Sequence, residues 1–257
     1  MNNNDVKKTI IPEQILKIFI DSCIQDEPQN RITDKIITLI STNYTNDEKP
    51  TKLFQLVAQK CNENHSKYFV LLGFFHAYGF GAVCNEAEAF KWYLKAAEHG
   101  DPIGQLRVAA YFESGIGKNI SKSRYWFEKA ASTGLAIAQY RLARNLRIST
   151  EIDNDDISNS IFWLEKSATA GFDKGIHVLA WIYGRGKGVP KDLKKSLHWY
   201  RKLEDSKSGK ATKSLVMYYL NGLGTAKDKH EAIKYLYRAL KSGVYCNQVL
   251  NEFNNYR

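Results

Sequence analysis

Apolar residues in the second half of the chain recur at a spacing that predicts amphipathic helices. Leu179, Ala180 and Tyr183 occupy positions i, i+1 and i+4, and Leu215 with Tyr219 repeats the pattern. Side chains at these spacings lie on one face of an α-helix and can be buried together. The pattern therefore predicts a helix with one buried face at each of these two places.

Pairs of glycines follow such helices and predict that each helix ends in a tight turn. The pairs are Gly79 and Gly81, Gly115 and Gly117, Gly186 and Gly188, and Gly222 and Gly224. Glycine adopts positive φ at little steric cost, so the chain can reverse direction within a few residues. The carboxylates of Asp192 and Asp228 are then expected to cap the helices that follow. Each unit is thus predicted to be a helical hairpin.

An aromatic residue in the second helix of each hairpin shows that the hairpin is repeated about every 36 residues. The equivalent residues are Trp92, Trp126, Trp163, Trp199 and Tyr235. A small residue three positions earlier, such as Ser196, predicts close approach of a neighbouring helix, and the ring is expected to fill the gap between pairs. One hairpin cannot bury both faces of its helices, so the copies are predicted to stack.

The fourth copy carries the most complete motif. It comprises Leu179-Ala180, Tyr183, Gly186, Gly188-Val189, Asp192, Ser196 and Trp199-Tyr200. This motif resembles the Sel-one-like repeat, a relative of the tetratricopeptide repeat, and the resemblance covers roughly residues 65–243. It implies an all-α fold, a right-handed superhelical solenoid of about five stacked helical hairpins. In the third copy Ser149 and Glu151 replace the two glycines, which predicts a longer and looser turn there.

The domain boundaries follow from where the repeats start and stop. We expect residues 1–11 to be disordered, residues 12–62 to form an N-terminal helical cap, and residues 63–243 to form the repeats. Residues 244–257 are expected to form an amphipathic capping helix. Within the cap, Phe54 and Ala58 fall where Trp92 and Ala96 fall in the first repeat, so residues 49–62 are predicted to supply half a repeat.

The N-terminal cap holds a second, weaker resemblance. Two amphipathic helices are predicted at residues 12–24 and 32–41. The phrase from Cys23 through Pro28 to Arg31 resembles the closing helices of a protein-kinase domain, with Ile24 and Ile32 departing from the family pattern. The motifs that bind ATP and catalyse phosphoryl transfer are absent from the chain, so this resemblance implies no kinase activity. The alternative is an ordinary helical cap on the first repeat.

Composition agrees with a soluble globular chain. Of its 257 residues 44% are hydrophobic and 25% are charged, and no apolar run reaches the length of about 18 residues that spans a membrane. The first residues lack the apolar stretch of a signal peptide, which leads us to expect a cytoplasmic protein. The four cysteines have no short regular spacing, and we expect them to be unpaired.

Positive charge is concentrated in the last third of the chain and is the main functional clue. The formal net charge is +10, and residues 174–257 hold 17 of the 37 Lys and Arg residues but only six of the 27 Asp and Glu residues. Such a cluster favours an anionic partner, either an acidic or phosphorylated protein segment or, as an alternative, nucleic acid. A lysine-rich solvated face would give the same composition.

By analogy with tetratricopeptide arrays, the first helix of each repeat lines a binding groove. The groove positions lie five and two residues before, and two and five residues after, the Leu179-type position. In the first two repeats they include Lys67, Val70, Phe74, Leu106 and Glu113. The predicted partner-binding residues come from the later repeats and are Tyr140, Arg144, Arg147, Lys174, His177, Trp181, Lys210, Lys213 and Met217. Basic groups with interleaved apolar side chains favour a peptide that carries carboxylates and an apolar anchor.

No motif in the sequence predicts catalytic residues, a metal site or a cofactor. The six histidines form no HxxxH pair and do not pair with cysteine at ligand spacing. We therefore expect a non-catalytic adaptor or scaffold that binds acidic or extended peptide segments of other proteins in a concave groove and acts in signalling. The alternative is the regulatory or docking portion of a kinase-linked repeat protein, without kinase activity of its own.

Overall fold

The protein is helical in both of its compact units. The computed structural model describes residues 3–25, 29–43, 49–115, 117–147, 154–205 and 211–241. The chain divides into a first unit, Met1–Asn145, and a second unit, Leu146–Arg257. These described residues form thirteen α-helices and one short 3₁₀ helix, with no strand among them. The predicted all-α class is confirmed.

The first unit contains three N-terminal helices followed by successive helical hairpins. The N-terminal helices are α1 (Asn3–Ile24), α2 (Gln29–Asn43) and α3 (Lys49–Asn62). A 3₁₀ helix (Ser66–Tyr68) leads into α4 (Phe69–Tyr78), α5 (Glu86–Glu98), α6 (Pro102–Ser114), α7 (Ile120–Ser132) and α8 (Ala136–Leu146), which ends at the boundary between the units.

The second unit continues the same alternation of helices. It contains α9 (Asn154–Thr169), α10 (Asp173–Arg185), α11 (Leu193–Asp205), α12 (Thr212–Asn221) and α13 (Lys229–Lys241). The expected looser turn of the third copy, at residues 149–156, lies mostly outside the described residues. The expected capping helix at residues 244–257 also lies outside them.

The N-terminal helices are longer than the sequence pattern predicted. Residues 3–11, expected to be disordered, form the first part of α1. The helices predicted at residues 12–24 and 32–41 extend to Asn3–Ile24 and Gln29–Asn43. The prediction relied on apolar spacing, which is weak over the polar residues at these helix ends, whereas a helix propagates readily once its buried face is fixed.

Glycines end the first helices and allow unusually close packing at the turns. Gly222 caps α12 in the left-handed conformation, with φ of 68°. At Gly224, a Cβ would overlap the carbonyl oxygen of Leu193 at the start of α11. Gly81 makes the equivalent approach to the carbonyl oxygen of Pro50 in α3. In this contact α3 packs on the turn of the first repeat in the same way as α11 packs on the turn of the fifth.

One glycine prediction was wrong in detail. Gly115 has φ of −80° and extended backbone, so it does not use the left-handed region. Its turn instead closes through the Gly115 N–H, which donates to the Tyr111 carbonyl. The helix caps agree with the prediction: the Asp192 and Asp228 carboxylates accept from the N–H groups three residues later, at 2.9 and 3.0 Å.

The repeated aromatic residue fills only part of the gap between helices, where the Trp92 ring lies 5.6 Å from the Phe69 ring of α4. Trp92 is half-buried, whereas Tyr93 beside it is buried and packs where Gly73 leaves room for its ring. The repeated aromatic ring also lies beneath the cation three residues later. For example, Lys95 Nζ lies 5.1 Å from the Trp92 ring centroid. Residues three apart share a helix face, so the lysine stem and its charge cover the ring. The same pairing recurs at Trp126 and Lys129, Trp163 and Lys166, Trp199 and Lys202, and Tyr235 and Arg238.

Small buried residues bring the two helices of a hairpin together, as predicted. Ser196 in α11 is fully buried, and its hydroxyl donates to the Ala180 carbonyl of α10 at 2.7 Å. Ser123 in α7 donates in the same way to the Ala109 carbonyl at 2.9 Å. A larger side chain at these positions would push the helices apart, so the small residue fixes their separation.

Tyrosine hydroxyls join neighbouring repeats within the second unit. The Tyr183 hydroxyl donates to the Glu165 carboxylate at 2.7 Å. In the next repeat, the Arg201 guanidinium donates to the Tyr219 hydroxyl at 2.8 and 2.6 Å. Burial and the bond to Glu165 raise the pKa of Tyr183 to about 12. The partners of these tyrosines occupy equivalent positions, two residues after Trp163 and Trp199.

We predict that Gly224→Ala destabilises the second unit more than Gly171→Ala does. Both glycines have positive φ, at 70° and 84°, so each substitution incurs the left-handed backbone cost of about 1–2 kcal/mol. Only at Gly224 does the new methyl overlap a neighbouring carbonyl, whereas nothing lies within 4 Å at Gly171. Urea denaturation of both variants measures the difference, and equal losses would contradict the close approach at Leu193.

We also predict that Tyr183 makes stability fall in alkaline solution. Because folding raises the pKa of this hydroxyl above its ordinary value of 10.0, its contribution is complete below that pH and is lost as the pH rises towards about 12. Urea denaturation at about pH 9 and about pH 11 should show a larger loss for the wild type than for Tyr183→Phe, which lacks the ionising hydroxyl. Equal losses would show that the hydroxyl does not titrate in this way.

Candidate partner-binding cleft

The groove positions of the first repeat are covered by the chain's own N-terminal helix. Val70 and Phe74 are buried, with exposed fractions of 1% and 0%. Phe19 of α1 packs on Phe74, with ring centroids 4.7 Å apart. Glu13 of α1 forms an ion pair with Lys67 at 2.9 Å. Val70 and Phe74 are therefore part of the core of the first unit, whereas Lys67 remains exposed.

The following groove positions of the first unit differ from one another in exposure. Leu106 is buried, and Glu113 is half-buried with its carboxylate 3.9 Å from the Arg141 guanidinium. Tyr140 is half-buried and Arg144 is exposed, with its guanidinium carbon 5.9 Å from the Tyr140 ring centroid. The structure thus brings these last two predicted residues together at the end of α8.

In the second unit, the predicted residues of α10 form a stripe along the helix. Lys174, His177 and Trp181 lie at i, i+3 and i+7, which places them on one face. All three side chains are exposed, and Trp181 keeps 40% of its surface accessible. The His177 ring lies 6.1 Å from the ring of Tyr200 in α11. Arg147, the second residue of this unit, is half-buried.

Helix α12 contributes the remaining predicted residues. Lys213 is exposed and Met217 is half-buried, one helical turn apart on the same face. Lys210 lies outside the described residues, so its position is not part of the site described below.

A cleft in the second unit unites three of the predicted residues. It has a volume of about 420 Å³ and is lined by residues of α10, α11, α12 and the intervening turns. Trp181, Lys213 and Met217 all line it. Lys174 and His177 do not line the cleft but lie along α10 on the same stripe as Trp181.

The cleft also contains residues that the sequence reasoning missed. They are Arg185, Lys191, Tyr200 and Tyr218, together with smaller apolar contacts. Arg185 could have been found, because it lies four residues after Trp181 on the same helix face. Tyr200 and Tyr218 adjoin residues of the repeat motif, yet only the packing of α11 against α12 brings their rings to 5.5 Å. Lys191 reaches the cleft through the turn that precedes α11.

The electrostatics of the cleft favour an anionic group beside an apolar one. Arg185, Lys191 and Lys213 carry positive charge, and none of the lining residues that the structure describes carries a carboxylate. Burial raises the pKa of Tyr200, which keeps its hydroxyl neutral at physiological pH. The Tyr218 hydroxyl is fixed by a 2.6 Å hydrogen bond with Ser196. The cleft therefore presents cations around a wall of rigid aromatic rings.

Two further properties of the described residues bear on the chemistry of the protein. No group of three or more His, Cys, Asp or Glu side chains in this part of the chain is arranged to hold a metal ion. None of the helices described combines the length and apolar character needed to cross a membrane.

Comparison with known proteins places the repeats in a family. The Sel1 repeat model matches five successive segments, at residues 70–101, 102–135, 136–172, 174–206 and 214–244. These segments contain nearly all of α10, α11 and α12, the helices that line the cleft.

Individual relatives agree with this match. The Sel1-repeat-containing protein YjcO of Escherichia coli K12 is 33% identical over 165 residues, which cover 62% of this chain and 70% of that protein. The structure of a Sel1 repeat protein from Oxalobacter formigenes is similar with a TM-score of 0.64 and 25% identity, covering 75% of this chain and 80% of that one.

A third similar structure is that of c5321, a protective antigen of uropathogenic Escherichia coli strains that displays the same repeat fold. Its TM-score is 0.68 at 25% identity, and the match covers 80% of this chain and 45% of that chain. This chain therefore spans less than half the length of c5321. With repeats matched over more than half of its residues, the chain belongs to the Sel1 repeat family.

Proposed function

We propose that this protein is a non-catalytic adaptor or scaffold that holds acidic peptide segments of other proteins in the cleft of its second unit. Sel1 repeats commonly mediate protein–protein interactions, which supports a binding role in general. The observation that carries the finer proposal is the union of Trp181, Lys213 and Met217 in one open cleft. We further propose a cytoplasmic location and a role in signalling.

The chemistry of the lining supports a ligand with two features. Arg185 and Lys213 can donate charge-assisted hydrogen bonds to a carboxylate or phosphate group. Trp181 and Met217 offer a polarisable apolar surface to a ligand side chain. Tryptophan and arginine are the residue types that most often dominate binding energy at interfaces. A peptide that joins an acidic residue to an apolar anchor would satisfy both parts of the cleft.

The size of the cleft also fits a short segment rather than a folded surface. A volume of about 420 Å³ falls within the range of pockets that enclose small ligands or a few side chains. The cleft would therefore hold the anchor side chain, while exposed residues along α10, such as Lys174 and His177, contact the rest of the segment. This arrangement supports recognition of a linear motif.

The kinase-like phrase does not contribute to this proposal. Cys23, Ile32 and Ile36 are buried within the core of the first unit, with exposed fractions of 4%, 0% and 0%. Their burial favours the alternative of a helical cap on the first repeat. Residues in a core are unavailable to a docking partner.

We predict that the full chain selects acidic peptides with an apolar anchor from a display library of random sequences. Binding constants of the selected peptides, measured by fluorescence anisotropy, should weaken about tenfold for Lys213→Glu, because one desolvated charge contact is lost and a repulsive one is introduced. Lys234→Glu in α13 is the matched control, since it makes the same change of charge at an exposed lysine that does not line the cleft.

Three results would contradict this proposal. The selected sequences would lack acidic residues, Lys213→Glu would bind them unchanged, or the control would lose binding equally. Competition by an oligonucleotide of random sequence, with affinity falling steeply between about 50 and 200 mM salt, would instead favour the nucleic-acid alternative. Thermal unfolding of both variants checks that neither has lost its fold.

A further inference from the structure

The first unit shows how a groove of this chain holds a helix. Helix α1 contacts the groove positions of the first repeat at two points, one charged and one aromatic. Glu13 pairs with Lys67 at 2.9 Å, and the Phe19 ring packs on Phe74 at 4.7 Å. Glu13 is exposed, whereas Phe19 is completely buried. The contact thus combines a solvated ion pair with a buried aromatic anchor.

The two contacts define the direction and register of the bound helix. Glu13 and Phe19 are six residues apart, about 9 Å along α1. Lys67 lies in the 3₁₀ helix that precedes α4 and is seven residues before Phe74, about 11 Å at the rises of the two helix types. Both pairs run in the same order, so α1 lies parallel to α4. The match of the two spacings explains why both contacts form at once.

A third contact extends the same alignment to the next repeat. Cys23 lies one turn beyond Phe19 in α1 and accepts a hydrogen bond from the Arg107 guanidinium of α6 at 3.0 Å. The Arg107 guanidinium carbon also lies 5.8 Å from the Phe19 ring centroid. The helix is therefore held by a cation, an aromatic ring and a second cation in succession.

The second unit repeats the first two of these groups and leaves the aromatic one accessible. Lys174 and Trp181 of α10 occupy the repeat positions of Lys67 and Phe74, again seven residues apart. Phe74 is completely buried, with the Phe19 ring of α1 packed on it, whereas Trp181 is 40% exposed and lines the cleft. The residue types and spacing that contact α1 are thus present a second time, with the aromatic ring accessible.

We infer that the cleft of the second unit binds an amphipathic helix of a partner protein, parallel to α10, whose acidic residue precedes an aromatic residue by six positions. The acidic residue pairs with Lys174, and the aromatic ring lies between Trp181 and Met217. This inference rests on the proposed function and specifies the conformation and motif of its ligand. An extended peptide rises about 3.3 Å per residue, so it would need a spacing of three positions to reach the same two groups.

The spacing can be tested with a peptide taken from α1 itself. The probe is a blocked, labelled peptide of residues 10–25 carrying Cys23→Ser, which contains Glu13 and Phe19 six positions apart. Its matched control exchanges Leu16 and Phe19, so the composition is unchanged but the acidic and aromatic residues are three positions apart. The full wild-type chain is expected to bind the probe about tenfold more tightly than the control. Equal or reversed affinities would overturn the inference.

Variants of the chain locate the binding site. Lys174→Glu should weaken the probe about tenfold, and a probe carrying Glu13→Lys should bind this variant more tightly than it binds the wild type. The matched variant Lys67→Glu should leave probe binding unchanged, because its groove is occupied by α1. Loss of binding in Lys67→Glu alone would mean that the probe displaces α1, which would overturn the inference.

The two proposals fail in distinguishable ways. If library-selected acidic peptides depend on Lys213 but the probe and its exchanged control bind alike, the peptide-binding function stands and the helical register is wrong. If the selected peptides are insensitive to Lys213→Glu, the cleft itself is not the binding site. Thermal unfolding of Lys174→Glu and Lys67→Glu confirms that each variant is folded before binding is compared.

Discussion

Close approach between backbone segments is the constraint on which the hairpins depend. At Gly81 and Gly224 the chain passes so near a neighbouring carbonyl that no Cβ fits. At Gly73 the missing side chain gives room to the Tyr93 ring, and at Ser196 a small hydroxyl bonds directly to the adjacent helix. The contacts at Gly73 and Ser196 set the separation of helices within a repeat, and those at Gly81 and Gly224 set the approach of one hairpin to the preceding helix. Side-chain positions on the helix faces follow from these separations.

The same packing decides which aromatic residues are available for binding. The repeated tryptophans carry a lysine over the ring, whose stem covers apolar surface while its charge remains in water. Those rings are therefore partly covered by a cation of their own helix, and the Trp92 ring also packs on Phe69 of α4. Trp181 belongs to the first helix of its repeat and keeps 40% of its surface exposed beside Met217. Position within the repeat thus separates structural aromatics from a candidate anchor.

Positive charge favours an anionic ligand most where the fold brings several cations together. The last third of the chain holds most of the excess positive charge, yet three cations, Arg185, Lys191 and Lys213, converge on the cleft. In the first unit a cation and an aromatic ring occupy the equivalent surface: Lys67 pairs with Glu13 of α1, and Phe74 packs on Phe19 of α1. The same repeat surface therefore packs against α1 in the first unit, whereas its aromatic residue in the second unit, Trp181, is 40% exposed.

The sequence by itself determined the helical class, the repeat length, the helix caps and the family. These features depend on spacings within about 36 residues, where apolar periodicity, glycine and small residues act through local geometry. It also identified Trp181, Lys213 and Met217 as members of one surface, because the repeat assigns them equivalent positions. It assigned the gap between helices to the Trp92-type ring alone, whereas Tyr93 beside that ring is the more deeply buried residue. Adjacent residues on a helix differ by about 100°, so a small error in helix phase exchanges buried and surface positions.

Only the tertiary structure decided which groove positions are open. Val70 and Phe74 have the pattern of binding residues but are buried, and the Phe19 ring that packs on Phe74 comes from α1, more than fifty residues earlier in the chain. Tyr200 and Tyr218 join the cleft because α11 and α12 pack together. Such coverage depends on contacts between distant segments, and a local pattern carries no information about which distant segment will fold against it.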